Sequence, residues 1–197
     1  MLTLLGIGAM NSPRYAPAGL LVSWGEHRIA LDGGGTADPG PGVDAWLVCD
    51  ARAELGSTIR RRAKELGVTP RIDEYHASGV RLSPLPVRHT SHDTYGYLIR
   101  TARSRVAWLP EFWELPDWAE GCDLVFADAA GWERPIRFAG GVGGHASVRD
   151  VARRAPELGI KRVVFAHVGR PSIRAIDRGE TPSFGEIGEE GARYEIR

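Results

Sequence analysis

At 197 residues the chain suits one domain, long enough to bury a sizeable core without disulfides. Its 25 Lys and Arg balance 25 Asp and Glu, so no global field draws it to nucleic acid or to a membrane surface, and an anionic substrate must be held by local charge. Cys49 and Cys122 are the only cysteines and lack CxxC spacing, which excludes a disulfide framework and points to a reducing cytoplasm; no apolar stretch approaches the ~20 residues of a membrane span.

The chain opens with three β-type runs, Leu2 to Ile7, Gly19 to Trp24 and His27 to Leu31, the last two joined as a hairpin by Gly25-Glu26. The first run has neither a basic flank nor a small-residue cleavage site, so it reads as a strand rather than a signal peptide. Asp32-Gly-Gly-Gly ends the hairpin, a Pro/Gly loop fills 38–42, and Ala45 to Cys49 is the next strand. From Ala53 to Leu66 the spacing of Leu55, Ile59, Ala63 and Leu66 predicts a helix with one buried face, with Arg60 to Arg62 in solvent and Gly67 as its stop. Gly79 to Val87, Tyr95 to Thr101, Arg105 to Leu109 and Asp123 to Ala127 read as strands. Val148 to Leu158 predicts a helix broken or bent near Pro156, Lys161 to Ala166 an apolar strand ending at His167, and Pro182 to Arg197 an edge strand. Strands with helices after two of them predict an α/β fold of stacked sheets covered by helices.

The segments that bear on chemistry fall in a particular order. The hairpin closes on Asp32-Gly-Gly, and Asp44-Ala-Trp-Leu-Val-Cys leads into Asp50-Ala-Arg-Ala-Glu-Leu. Pro86-Val-Arg-His-Thr precedes the strand Tyr95-Gly-Tyr-Leu-Ile; Val106-Ala-Trp-Leu-Pro-Glu, Asp123-Leu-Val-Phe-Ala-Asp-Ala-Ala, Gly144-His-Ala-Ser and the strand ending at His167 complete the series. In this order they resemble the metallo-β-lactamase superfamily, particularly the branch of ribonuclease Z and the cyclic phosphodiesterases of phosphonate breakdown. The resemblance covers nearly the whole chain and implies a single domain over 1–197, folded as a four-layer αβ/βα sandwich. The family's His-x-His-x-Asp-His signature is largely overwritten, since Asp50, Arg52, Glu54 and Leu55 stand where His, His, Asp and His are expected. His89 matches a third-motif histidine, Glu111 stands for a metal-bridging aspartate, and His167 matches the last ligand. Asp128 replaces the glutamate of a ribonuclease Z relay whose histidine is Ala127 here, and His145 matches the next histidine motif.

Carried onto these positions, the resemblance implies metal ligands among Asp50, Glu54, His89, Glu111 and His167. Asp50, His89 and Glu111 could form one three-ligand set and Glu54, Glu111 and His167 another, each leaving the open position a catalytic metal needs. The cofactor is then one divalent metal (Zn, Mn or Fe), or none. Oxygen-rich ligation biases toward Mn, Mg or Fe, while raw affinity favours Zn over Mn. Arg52, always charged, opposes a cation beside it; its fork could pair with Asp50 or Glu111 in place of a lost metal, or hold a substrate anion. His145 with Asp128 is the catalytic candidate for proton transfer, against a structural role. Arg52, Arg137 and Arg170 are the substrate-binding candidates, against pairing with surface acids. Arg14 and Tyr15 in the first loop are further substrate contacts to test, and His92 could shuttle protons or cap its loop.

The expected function is a metal-dependent hydrolase of a phosphodiester or similar anionic ester. The alternative is a non-catalytic relative that binds a small anion or a protein partner through the old cleft, which Arg52 and Leu55 favour. Metal-free acid/base catalysis by His89, His145 and the carboxylates is a third reading. The expected partner is a small anionic substrate or ligand, with neither membrane nor nucleic acid; nothing in the composition opposes a homo-oligomer.

Overall fold

The structure is a computed structural model that describes residues 1–53 and 55–196. Its first half comprises β1 (Leu2–Gly6), β2 (Gly19–Trp24), β3 (His27–Asp32), β4 (Ala45–Leu47), helix α1 (Gly56–Glu65) and the short β5 (Pro70–Arg71). The first three strands run antiparallel through the predicted hairpin, and β4 and β5 continue parallel to β3. The second half begins with β6 (Tyr75–Ala77), β7 (Val80–Val87), β8 (Thr94–Arg100), β9 (Arg105–Leu109) and β10 (Leu124–Ala129). There follow a two-stranded ribbon of β11 (Ile136–Arg137) and β12 (Gly144–His145), α2 (Val148–Glu157), β13 (Val163–Val168), α3 (Arg170–Asp177), β14 (Glu186–Ile187) and β15 (Arg193–Tyr194). The second sheet has the order β14-β13-β10-β9-β8-β7-β6, while β15 returns to the first sheet and pairs with β1, giving β15-β1-β2-β3-β4-β5.

Alternation of apolar residues decides how the sheets stack. Leu2, Leu4, Leu20 and Leu31 from one sheet and Tyr97, Trp108 and Phe126 from the other share one core, while Trp46 and Val48 face outward onto Ile59 and Ala63 of α1. β10 and β13 are buried at every residue, because α2 covers the face turned away from the first sheet. The result is helix, sheet, sheet, helix: the four-layer α/β sandwich expected from the sequence. Among the described residues no helix is long and apolar enough to cross a membrane.

One local expectation is corrected, and one helix falls where the sequence pattern gave no expectation. α2 is capped by Ser147, whose hydroxyl accepts the Asp150 N–H, and runs through Pro156 to Glu157 without a break. Pro156 sits in the last turn, where a missing N–H costs a single hydrogen bond. Helix α3 was not anticipated, although Pro171 near its start, Ile173 and Ile176 on one side and Gly179 just past its end are the ordinary marks of a short helix.

At one end of the sandwich a single side chain ties the sheets together. Asp32 ends β3 with a positive φ of 49°. Its Oδ1 accepts the Cys49 N–H at 2.8 Å and its Oδ2 accepts Trp108 Nε1–H at 2.7 Å, which joins the chain just past β4 to β9 of the opposite sheet. Its carbonyl also accepts Trp46 Nε1–H at 2.8 Å. Burial pushes the carboxyl pKa up to about 6, against the pull of the Cys49 and Trp108 hydrogen bonds. Because this lies above the ordinary 3.8, the native state holds the proton more tightly than the unfolded chain. The associated stability is complete below the unfolded value and is lost as pH rises through the folded one. Urea denaturation across this window should show the wild type losing up to about 3 kcal/mol relative to Asp32→Asn. A stability difference between the two proteins that stays constant with pH would contradict this account.

Candidate active site

The ends of the strands at the Asp32 side of the sandwich carry the side chains singled out in the sequence. Asp50 follows β4, His89 follows β7, Glu111 follows β9, Asp128 lies in β10, His145 in β12 and His167 in β13. They converge on a cleft of about 550 Å3 whose lining includes Asp50, His89, Glu111, His145 and His167. Glu54 lies outside the described residues.

Glu111 is the centre of the group. Its Oε2 lies 3.3 Å from His89 Nε2 and its Oε1 lies 3.0 Å from His167 Nε2. The other nitrogen of each ring is already committed: His89 Nδ1–H donates to the Gly144 carbonyl at 2.9 Å, and His167 Nδ1 lies 3.4 Å from Asp128 Oδ1. With hydrogens placed on Nδ1, both Nε2 atoms turn lone pairs toward a carboxylate. That arrangement is repulsive unless a cation intervenes, either a second proton on each ring or a metal ion between them. Burial alone would discharge His167, but Asp128 and Glu111 outweigh it and push its pKa up to about 10. Burial likewise opposes the charged forms of Glu111 and His89, yet His167 and His89 hold Glu111 well below the usual carboxylate range, and Glu111, the Gly144 carbonyl and Asp128 hold His89 above its ordinary value.

The donor set fits a divalent metal. Glu111 stands between two imidazoles, with Oε2 3.3 Å from His89 Nε2 and Oε1 3.0 Å from His167 Nε2, each pair at the separation of neighbouring ligands about an ion. Anchoring the remote ring nitrogen on a carbonyl or carboxylate is the usual support for a metal-ligating histidine. Asp128, His145 and His167 also offer ligand atoms within 4.8 Å of one another. The Asp128 carboxylate is fully buried and heavily engaged, however. Oδ1 accepts the Ala130 N–H at 2.8 Å, and Oδ2 accepts the Phe112 N–H at 3.3 Å and His145 Nδ1–H at 2.7 Å. Burial would raise its pKa, but His145 and His167 hold it below the ordinary value. Asp128 is therefore suited to orient His145 and His167, leaving His89 and His167, each facing Glu111, with Nε2 atoms available to an ion.

The first sheet contributes differently from the second. Asp50 is buried beside the cleft, with Oδ2 accepting His92 Nε2–H at 2.8 Å and Oδ1 accepting the Arg52 N–H at 2.7 Å. Among the described residues Arg52 forms no ion pair with Asp50 or Glu111; it is exposed on the cleft wall, and Leu55 lines a smaller adjoining cavity. Arg170 lines the cleft too, whereas the Arg137 guanidinium stacks 5.5 Å over Trp113. Arg14 pairs with Asp177 of α3 at 2.7 Å. The pairing of His92 with Asp50 was missed as such, because residues so far apart in sequence give no local signal of their contact.

Backbone geometry aims the two central histidines. His167 is the extra residue of a bulge where β13 runs beside β10, and it has a left-handed φ of 61°. His89 is held by the Gly-rich loop: Gly144 N–H donates to the His89 carbonyl at 2.9 Å, and Gly143 passes so close that a Cβ there would collide with the same carbonyl. His145 ends the short ribbon, two residues before the Ser147 cap.

Comparison with known proteins agrees with this architecture. Residues 35–168 match the Beta-lactamase superfamily domain, and the chain belongs to that superfamily. The fold resembles the metallo-beta-lactamase fold protein YhfI from Bacillus subtilis (TM-score 0.75, 15% identity, 98% of each chain covered). It also resembles a diphosphatase from the PhnP family (TM-score 0.74, 18% identity, 100% of this chain and 97% of that one). A third similar structure is Zn(2+)-bound PqqB from Methylobacterium extorquens (TM-score 0.73, 12% identity, 99% of each chain). No curated protein matches the sequence.

The positive φ at His167 can be tested apart from its chemistry. Asparagine tolerates that backbone conformation and a β-branched residue does not, so His167→Val should be less stable than His167→Asn by about 1–3 kcal/mol in chemical denaturation. Equal stabilities would argue against a strained bulge.

Proposed function

We propose that the protein is a metal-dependent hydrolase of phosphodiesters or similar anionic esters, working with one divalent metal. The observation that carries this reading is the Glu111 carboxylate standing between His89 Nε2 and His167 Nε2, with the Nδ1 atoms of both rings tied down behind them. His89, Glu111 and His167 would hold the metal, which supplies Lewis acidity toward an ester oxygen and toward water. His145 lines the same cleft with Nδ1–H fixed on Asp128, so its Nε2 remains for moving a proton to or from the reacting group. Arg52 and Arg170 on the wall supply the positive charge that an anionic ester requires. The similarity to a PhnP-family diphosphatase supports a phosphorus ester as the first class to try.

A second reading, a non-catalytic binder of a small anion or partner, is favoured by Leu55 and Arg52 at positions where the resemblance expects histidine ligands. Metal analysis of untagged protein decides between them. The hydrolase reading expects near-stoichiometric Zn, Mn or Fe, lost in Glu111→Ala and His167→Ala, and turnover of bis(4-nitrophenyl) phosphate. No metal and no turnover after incubation with all three ions would favour the binder. The roles of Asp128 and His145 separate in two further variants. Asp128→Asn should weaken metal binding about 10–100-fold. His145→Ala should keep the metal while turnover falls about 10²–10⁴-fold; unchanged turnover would remove His145 from the chemistry.

A further inference from the structure

The cleft walls differ from those of a site made for a fully hydrophilic substrate. Met10, Ile136, Phe138 and Pro171 line it together with Arg52 and Arg170. Phe138 is half-buried and meets both His89 and His145 edge to face, with ring centroids 5.3 and 5.4 Å apart and interplanar angles of 68° and 88°. Met10 and Val142 are two of only three large hydrophobic residues exposed among those described. Met10 lines the cleft, and Val142 rides the Gly-rich loop that follows Phe138.

Asp50 and Thr90, on the wall beside Arg52, already hold hydrogen bonds within the protein. Both Asp50 oxygens are bonded, one to His92 and one to the Arg52 N–H, and Thr90 Oγ1 is held by the His92 carbonyl and Thr94. An apolar group placed on the Phe138 side would bury its surface against Phe138, Met10 and Ile136 without desolvating these polar groups.

We propose that the cleft selects an amphipathic anion: Arg52 and Arg170 take the charge, and Phe138 with Met10 seats an aryl or alkyl group on the uncharged side. This rests on the hydrolase reading for its chemistry, but its test needs no turnover. Phenylphosphonate and methylphosphonate carry the same charged head and differ in the apolar part. Titration calorimetry on the protein as purified should show phenylphosphonate binding at least about tenfold tighter, an advantage of about 1.4 kcal/mol. The advantage should vanish in Phe138→Ala and persist in Phe138→Tyr, with circular dichroism confirming that both variants fold.

Equal affinity for the two phosphonates, or no binding of either, overturns the proposal. A preference that survives Phe138→Ala in full overturns the assignment to this wall and moves it to the adjoining cavity lined by Leu55, Ile59 and Pro17. A preference that holds in a protein hydrolysing no phosphodiester would sink the catalytic reading and leave amphipathic recognition standing. Hydrolysis without the preference would do the reverse.

Discussion

The Asp32 carboxylate, hydrogen-bonded to Cys49 on one sheet and Trp108 on the other, is the constraint on which the cleft depends. Cys49 immediately precedes Asp50, and Trp108 lies three residues before Glu111. One side chain thus sets the distance between the two walls of the site. A lone buried carboxylate would be costly, and the two N–H donors are what make it tolerable there. Next to it, the chain after β1 reinforces the same seam: Ala9 N–H donates to the Val168 carbonyl at 3.1 Å, one residue beyond His167.

From that seam the site is built by orientation. His89 and His167 each spend Nδ1 on a support and present Nε2 to Glu111; His145 spends Nδ1 on Asp128 and keeps Nε2 for the cleft. Asp128 serves two histidines at once because it lies inside β10, fully buried, where the Ala130 and Phe112 amides fix it. A carboxylate on a loop would have to pay conformational entropy to do the same.

Much of the fold was legible because its signal is periodic. The hairpin of β2 and β3 and the strand Arg105–Leu109 appear with the expected bounds or within a residue of them, and the two longer helices fall where apolar spacing put them. β5, β6, β11 and β12 are too short for periodicity to show, and α3 is a single eight-residue helix whose marks were overlooked. For the site, the resemblance supplied His89, Glu111, Asp128, His145 and His167 by order along the chain, and the structure brings these five together. What sequence could not show was partnership. Whether Arg52 reaches Glu111, or Asp50 turns toward His92, depends on contacts across a sandwich that no local pattern encodes.

His89, Glu111, Asp128 and His167 all ride on the second sheet or the loops leaving it, and the first sheet supplies Asp50, Arg52 and Leu55. The donor cluster therefore keeps its internal spacing whatever the first sheet presents. Substitutions at Arg52 on that opposite wall alter what the cleft meets without touching the atoms around Glu111. Recognition is thereby shared between the sheets, with Arg52 on one wall and Arg170 and Phe138 on the side that carries the donors, so a change in Phe138 or Arg170 touches the donors' own surroundings while a change in Arg52 does not.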